Sequence, residues 1–531
     1  MTFRILHGTI LFPEQLREDQ SQMKSVRRFI LSLIVLVACS VFAAGQDAAQ
    51  VLRISVGYGT QYNTVKNSLA EEKRVEVERL GKMAQEANAA RRYGDAVKHY
   101  LHAMTLMRGA EWTPARALSA ALTLKVDRAI VEPSQTVRLQ LGQMFSLDEK
   151  ITSKLSVAVD LIRMQGGDVI KTLKTVEAIE PDFIAHPTAI EVIAPDAEPG
   201  NYRISVTLKT AAEPISRTVT VHIERGLTAR FAAARDRAAA IESKLRAGKK
   251  DPQLAALPSA QYRIKLFDMA SASEINFDRI SFNDELKEAV ALLDELEADR
   301  DPFIARRGDF RKAYRSKVDE TFQPYRIFVP ASYDGSKPFP LVIALHGMGG
   351  DENSYFDQYL QGAFKTEAER RGYIVACPKG RQPASMYLGP AERDVMDVIE
   401  EVRRAYRIDA DRIYMTGHSM GGYGTWSVAM NHPQVFAALA PVAGGGSPAG
   451  MSKIAHIPQL VIHGDDDKTV PVERSRVMVE AARKLGVEVK YIEIPKGDHV
   501  SVAARTFKDV YDFFDAHRKS AEKAAGASKQ N

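Results

Sequence analysis

The stretch RIYMTGHSMGGYGTW, residues 412–426, sets one serine among glycines behind a short run of β-formers. Two local structures satisfy it: a tight glycine turn, or a sharp strand-to-helix elbow that presents Ser419 at a strand end. GHSMG (417–421) fits the elbow, because glycines at 417 and 421 permit the turn and let the following helix pack close. Alone, the pentapeptide is a weak signal. Its context strengthens it, since RIYMT has strand character and GYGTWSVAMNHP has helical character.

Working outward, the runs PYRIFVP, PLVIALHG, YIVACP, RIYMTG, FAALAPV, QLVIHG and VEVKYIEIP alternate with helical stretches such as AERDVMDVIEEVRRAY. Several runs are continuously apolar, as strands buried on both faces must be, and the alternation predicts a mostly parallel sheet covered by helices over 321–518. Ligands in such sheets sit at the carboxyl ends of strands. Functional residues should follow these runs immediately.

A serine hydroxyl needs a base, and the base needs an orienting carboxylate. Aspartates 465–467 follow QLVIHG in HGDDDKTVP, and His499 follows VEVKYIEIP in KGDHV. The order Ser, Asp, His is that of α/β-hydrolases. Asp467 is a candidate acid, with Asp465 and Asp466 as rivals that could instead cap the next turn. LHGMGG ends an inner strand in a glycine turn, which directs the backbone N–H of Met348 toward the site beside that of Met420, as oxyanion donors. His346 and His463 precede their turns and read as structural, and Cys377 in YIVACP reads as a buried structural thiol.

LHGMGG, TGHSMGGYGTW, HPQVFAALAPVAGG, VIHGDDDKTVP and GDHV carry a resemblance. The region from about Tyr325 to His517 resembles an α/β-hydrolase of the group containing polyhydroxybutyrate depolymerase-like and feruloyl esterase-like secreted esterases. It is also similar to the catalytic domain of prolyl oligopeptidases. The family pattern HGxxDxxVP places the acid on Asp467. The resemblance implies an acyl-enzyme route on Ser419, Asp467 and His499. Residues 47–320 show no propeller-blade repeat, which favours carboxylic esters over a prolyl oligopeptidase-like serine peptidase. A third alternative, from another class, is a non-catalytic surface binding module with an inactive hydrolase domain. The span between Gly446 and Ile457 is too short for a cap domain, so an open site suited to a bulky or polymer-attached acyl group is expected. The loop GRQPASMYLGP (380–390) offers Tyr387 for substrate binding.

With 531 residues, the chain is too long for one ordinary core. Residues 1–45 read as an upstream extension and signal peptide: Met23, Lys24, Arg27 and Arg28 precede the apolar run FILSLIVLVA (29–38). Within it, Leu36-Val37-Ala38-Cys39 resembles a lipobox, which would leave a lipidated Cys39 as a membrane anchor. Ordinary cleavage after Ala43 or Ala44 is the competing reading. Either way the product is exported, to the periplasm, the outside or the envelope. Only Cys377 then remains, so no intramolecular disulfide can form.

Residues 47–115 read as helical. GKMAQEANAARRYGDAVKHYLHAM, within 71–107, resembles one tetratricopeptide-type hairpin, with a plain helical pair as the alternative. Period-two alternation over 118–225 predicts an immunoglobulin-like β-sandwich of unassigned ligand. Helical period returns in a linker, 226–320, as two helices flanking a loop at 249–252, with RRGDFRKAYRSK (306–317) as a solvated face. Residues 519–531 form a polar tail. The 72 Lys plus Arg nearly balance 67 Asp plus Glu without a dense basic block, which excludes nucleic acid as an expected partner. No metal cluster or nucleotide loop is visible, so no cofactor is implied.

Overall fold

The structure is a computed structural model that describes residues 48, 50–210, 213–304, 306–382 and 384–519. The expected signal peptide, with Cys39, and the tail from residue 520 lie outside the described residues. Among those described, no helix is long and apolar enough to cross a membrane.

The chain begins with helix α1 (50–65), then α2 (Glu71–Ala89), α3 (Tyr93–Met107) and α4 (Pro114–Ala121). The hairpin of α2 and α3 buries Ala84, Ala96, Tyr100 and Ala103, the small and aromatic positions expected at its seam. Helix α1 lies within the span 47–115 read as helical, ahead of the periodic stretch 71–107. It packs through Tyr58, whose hydroxyl donates to the Val77 carbonyl of α2 (3.1 Å). Thr113 caps α4 by accepting from Arg116 N–H, with Pro114 at the first helical position.

Strands β1 (Leu122–Val126), β2 (Ile130–Val131), β3 (Thr136–Gln143), β4 (Leu155–Arg163), β5 (Val169–Ile179), β6 (Thr188–Ile193), β7 (Gly200–Lys209) and β8 (Ile215–Ile223) form two facing sheets. Their orders are β1-β3-β6 and β2-β8-β7-β4-β5. Alternate residues point inward, such as Val137, Leu139 and Leu141 against Val157, Val159 and Leu161. The alternation predicted over 118–225 therefore forms one core.

The next region departs from the expected linker. Helices α5 (Leu227–Ala247), α6 (Asp251–Ala256), α7 (Pro258–Ser271) and α8 (Phe282–Glu297) stack Phe231, Phe267 and Phe282 into one core. Helix α7 fills the stretch expected to connect two helices. Strand β9 (Gly308–Arg315) then corrects the reading of 306–317 as a solvated face and moves the domain boundary upstream of 321. Phe310, Ala313 and Tyr314 are buried, and the charges among them are accommodated individually. The Lys312 ammonium lies over the Phe303 ring (4.4 Å), and Arg311 pairs with Glu285 (2.8 Å) and Glu352 (3.3 Å). Ser259 of α7 accepts from Ala313 N–H (3.0 Å) and donates to its carbonyl (3.2 Å). It thereby satisfies edge-strand groups that would otherwise invite another strand.

Strands β10 (Phe322–Val329), β11 (Phe339–Leu345), β12 (Ile374–Pro378), β13 (Ile408–His418), β14 (Ala438–Val442), β15 (Gln459–Gly464) and β16 (Val489–Ile494) complete an eight-stranded sheet. Its order is β16-β15-β14-β13-β11-β12-β10-β9, parallel from β16 to β12 and antiparallel at β10 and β9. Leu341, Ile343 and Leu345 face one core and Val342 and Ala344 the other, so both faces of β11 are buried. Helices α9 (Ala363–Arg371), α10 (Pro390–Ala405), α11 (Met420–Asn431), α12 (Glu473–Lys484), α13 (Ser501–Arg505) and α14 (Phe507–Asp515) accompany this sheet. Strands β11, β13, β15 and β16 deliver the loops of the candidate site from their carboxyl ends.

Candidate active site

At the end of β13, Ser419 has φ +56° and ψ −117°, a left-handed conformation that costs about 1–3 kcal/mol for a residue with a side chain. Two glycines make it affordable. A Cβ at Gly417 would strike the Gly421 carbonyl, and one at Gly421 would strike the Leu345 carbonyl of β11. Ser419 N–H donates to the Val442 carbonyl (2.9 Å), tying the elbow to β14. Helix α11 begins at the next residue and points its positive end at the turn.

The Ser419 hydroxyl lies 2.9 Å from His499 Nε2, and His499 Nδ1–H donates to Asp467 Oδ2 at 2.6 Å. Since the carboxylate accepts at Nδ1, Nε2 is free to accept from Ser419. Oδ1 of Asp467 accepts from Thr469 N–H (2.9 Å) and Val470 N–H (2.8 Å), while His463 Nε2 lies 3.2 Å from Oδ2. Burial alone would raise this carboxyl. Hydrogen bonds from His463, His499 and Val470 outweigh burial and hold it well below the usual carboxylate range. Asp465 and Asp466 are exposed, the first accepting from Lys496 N–H (2.6 Å) and the second pairing with Lys468 (2.5 Å). Only Asp467 of the three reaches His499.

His418, which sequence reasoning passed over, is buried beside this array. Its Nε2–H donates to the His499 backbone carbonyl (2.6 Å), so Nδ1 accepts from the Tyr359 hydroxyl (3.0 Å). Burial, with the neighbouring His499, lowers His418 to about 4. A neutral ring thus anchors the histidine loop. The acid loop has an outside support: Thr60 of α1 shares a hydrogen bond with Thr469 (3.1 Å), and Asn63 donates to the Lys468 carbonyl (3.2 Å).

Met348 follows Gly347, whose Cβ, if present, would touch the Ser419 Cβ at 3.4 Å. Neither Met348 N–H nor Met420 N–H has an acceptor among the described residues. Met420 is the first residue of α11, where N–H groups lack intrahelical partners. Tyr387 requires a correction. It is fully buried, with its ring against Gly424 of α11 and Gly380 and its hydroxyl donating to the His346 carbonyl (3.4 Å). It wedges the turn after β11 from behind and presents no surface to a substrate. His346 and His463 are buried too, His346 between the Gly347 and Lys379 carbonyls (2.8 and 2.7 Å). Among the described residues, no group of His, Cys, Asp and Glu is arranged to hold a metal.

Residues 394–513 match the family described as PETase, PET hydrolase-like. Over 186 residues the chain is 28% identical to a probable feruloyl esterase C of Aspergillus oryzae, which covers 34% of this chain and 68% of that protein. The C-terminal region is an α/β-hydrolase of the esterase group. The chain is also 32% identical over 132 residues to a bifunctional acetylxylan esterase/xylanase of Neocallimastix patriciarum, covering 24% of the chain but only 19% of that relative. A solved thermostable esterase aligns with 75% of the chain and all of its own length, at 20% identity and a TM-score of 0.36. The span matched to the family holds Ser419, Asp467 and His499, and leaves Met348 outside.

Proposed function

We propose that the chain is an exported serine hydrolase that cleaves carboxylic esters through an acyl-enzyme intermediate on Ser419. The observation that carries this reading is His499, hydrogen-bonded on one nitrogen to the strained serine and on the other to a buried carboxylate. His499 takes the Ser419 proton as Oγ attacks the acyl carbon, and the alcohol leaves with that proton. Water, deprotonated by the same imidazole, then releases the acid. Asp467 holds the tautomer and balances the imidazolium. Met348 and Met420 N–H groups stabilise the oxyanion in both steps.

The names of the two relatives support ester over amide chemistry, and the short Pro448–Ile454 turn in place of a cap favours a bulky or polymer-attached acyl group. In this reading the upstream helices and sandwich are accessory domains of a multidomain hydrolase. Residues 1–45 direct export, with lipidation at Cys39 as one maturation route and cleavage after Ala43 or Ala44 as the other.

Purified mature protein should hydrolyse p-nitrophenyl acetate and members of an acyl-polysaccharide panel, and Ser419→Ala should abolish both. Aryl esters should be cleaved faster than aminoacyl-naphthylamides. The reverse preference would overturn the ester assignment while leaving the serine mechanism standing.

A further inference from the structure

A cavity lies far along the chain from Ser419, where α3 and α4 meet the start of β8. Its volume is about 430 Å³, within the range of small-molecule sites. Three arginines line it, Arg108, Arg116 and Arg217, with Glu213 as the one acidic residue among its described lining. Trp112, Met104 and Ile215 supply apolar wall.

The polar groups of this cavity lack the partners found elsewhere. Half-buried arginines of the hydrolase domain are neutralised by carboxylates, Arg326 by Asp309 and Arg381 by Asp394, each at 2.6 Å. Among the described residues Arg217 is anchored only on backbone carbonyls, those of Leu122 (3.1 Å) and Ser216 (2.9 Å), and burial draws its guanidinium below its ordinary value. The guanidinium groups of Arg108 and Arg116 have no partner among the described residues. His102 stacks on the Trp112 ring at 4.9 Å, and the indole N–H is buried with no acceptor among the described residues. Three arginines beside an apolar wall are complementary to a planar anion on an apolar body.

We infer that this cleft, formed by Arg108, Arg116, Arg217 and Trp112, binds an organic carboxylate with an aromatic body. The carboxylate takes the guanidinium donors, and the ring packs on Trp112, Met104 and Ile215. Occupancy would bridge the helical region and the sandwich without touching Ser419.

The test uses the full mature chain labelled with 15N-tryptophan. Only Trp112 and Trp426 give indole N–H signals, and Trp112→Phe assigns them. Addition of 2-naphthoate should shift the Trp112 signal saturably and leave Trp426 in place, while neutral 2-naphthamide and inorganic sulfate should not. Arg108→Ala combined with Arg116→Ala, both at exposed positions, should weaken the response at least ten-fold with ester hydrolysis unchanged. An unmoved Trp112 signal, an equal response to naphthamide or sulfate, or a response indifferent to the arginine substitutions would each overturn the inference. Because the readout is the indole rather than turnover, its outcome is independent of the hydrolase reading.

Discussion

Among the described residues, His222–Glu224 and His499–Asp467 are histidine–carboxylate pairs in different parts of the fold, and of these two only the second faces a hydroxyl. At the junction of sandwich and helices, His222 Nε2 meets Glu224 at 2.9 Å, its Nδ1 meets the Asn201 side chain at 2.8 Å, and Glu224 also binds Arg230 and Asn283. At the sheet ends, His499 meets Asp467 in the same manner, but its second nitrogen addresses Ser419. The first pair is enclosed on every side and joins β7, β8, α5 and α8. The second leaves its imidazole partly exposed. A carboxylate beside a histidine is therefore no sign of chemistry in itself: His463 meets the same Asp467 (3.2 Å) and the Ser475 hydroxyl (2.7 Å) but is fully buried, whereas His499 addresses a partly exposed serine on a strained elbow.

The largest expected effect breaks the second pair. Asp467→Asn should lower kcat on p-nitrophenyl acetate by about 10⁴-fold, because the amide holds the wrong tautomer. Glu224→Gln should leave kcat within about two-fold. A comparable loss of kcat in both variants would erase the distinction between the pairs.

The next effect concerns pH. His418 accepts a proton near its ordinary value of 6.5 when unfolded but only near 4 when folded. The unfolded chain thus binds more protons between these values, and the folded state loses stability as pH falls from 6.5 to 4, by about 3 kcal/mol. Urea unfolding of the wild type and His418→Gln should show the wild type's advantage shrinking over this window. An advantage that is constant with pH would contradict the buried neutral ring.

Smaller still is the stability change in Glu224→Gln, about 2 kcal/mol from the loss of a charged acceptor for His222 and Arg230, measurable as a lower urea midpoint. The smallest is Thr60→Ala with Asn63→Ala, which removes two contacts from α1 to the acid loop. Its kcat should stay within about three-fold of wild type. A larger fall would make the helical region part of the site rather than a support beside it.

Seven of the eight strands in the hydrolase sheet were legible because each is a compact run of β-formers with burial on at least one face. Strand β9 was hidden by its charges, whose partners Glu285, Glu352 and the Phe303 ring lie elsewhere in the sequence. The elbow could be read because its backbone restricts the residue types that fit it. Tyr387 misled because it sits among turn-formers, where exposure is the ordinary expectation, yet fills the space left by Gly424 and Gly380. His418 occupies an unconstrained position of GHSMG, and only the folded chain brings it to the His499 carbonyl.

The central claim is that Ser419 is a nucleophile activated by His499. Labelling of the folded mature protein with a fluorophosphonate, followed by peptide mass mapping, tests it most directly. One adduct per chain, on Ser419 and absent from Ser419→Ala and greatly slowed in His499→Ala, is the predicted result. Folded wild-type protein that takes up no label, or takes it up at another residue, would contradict it.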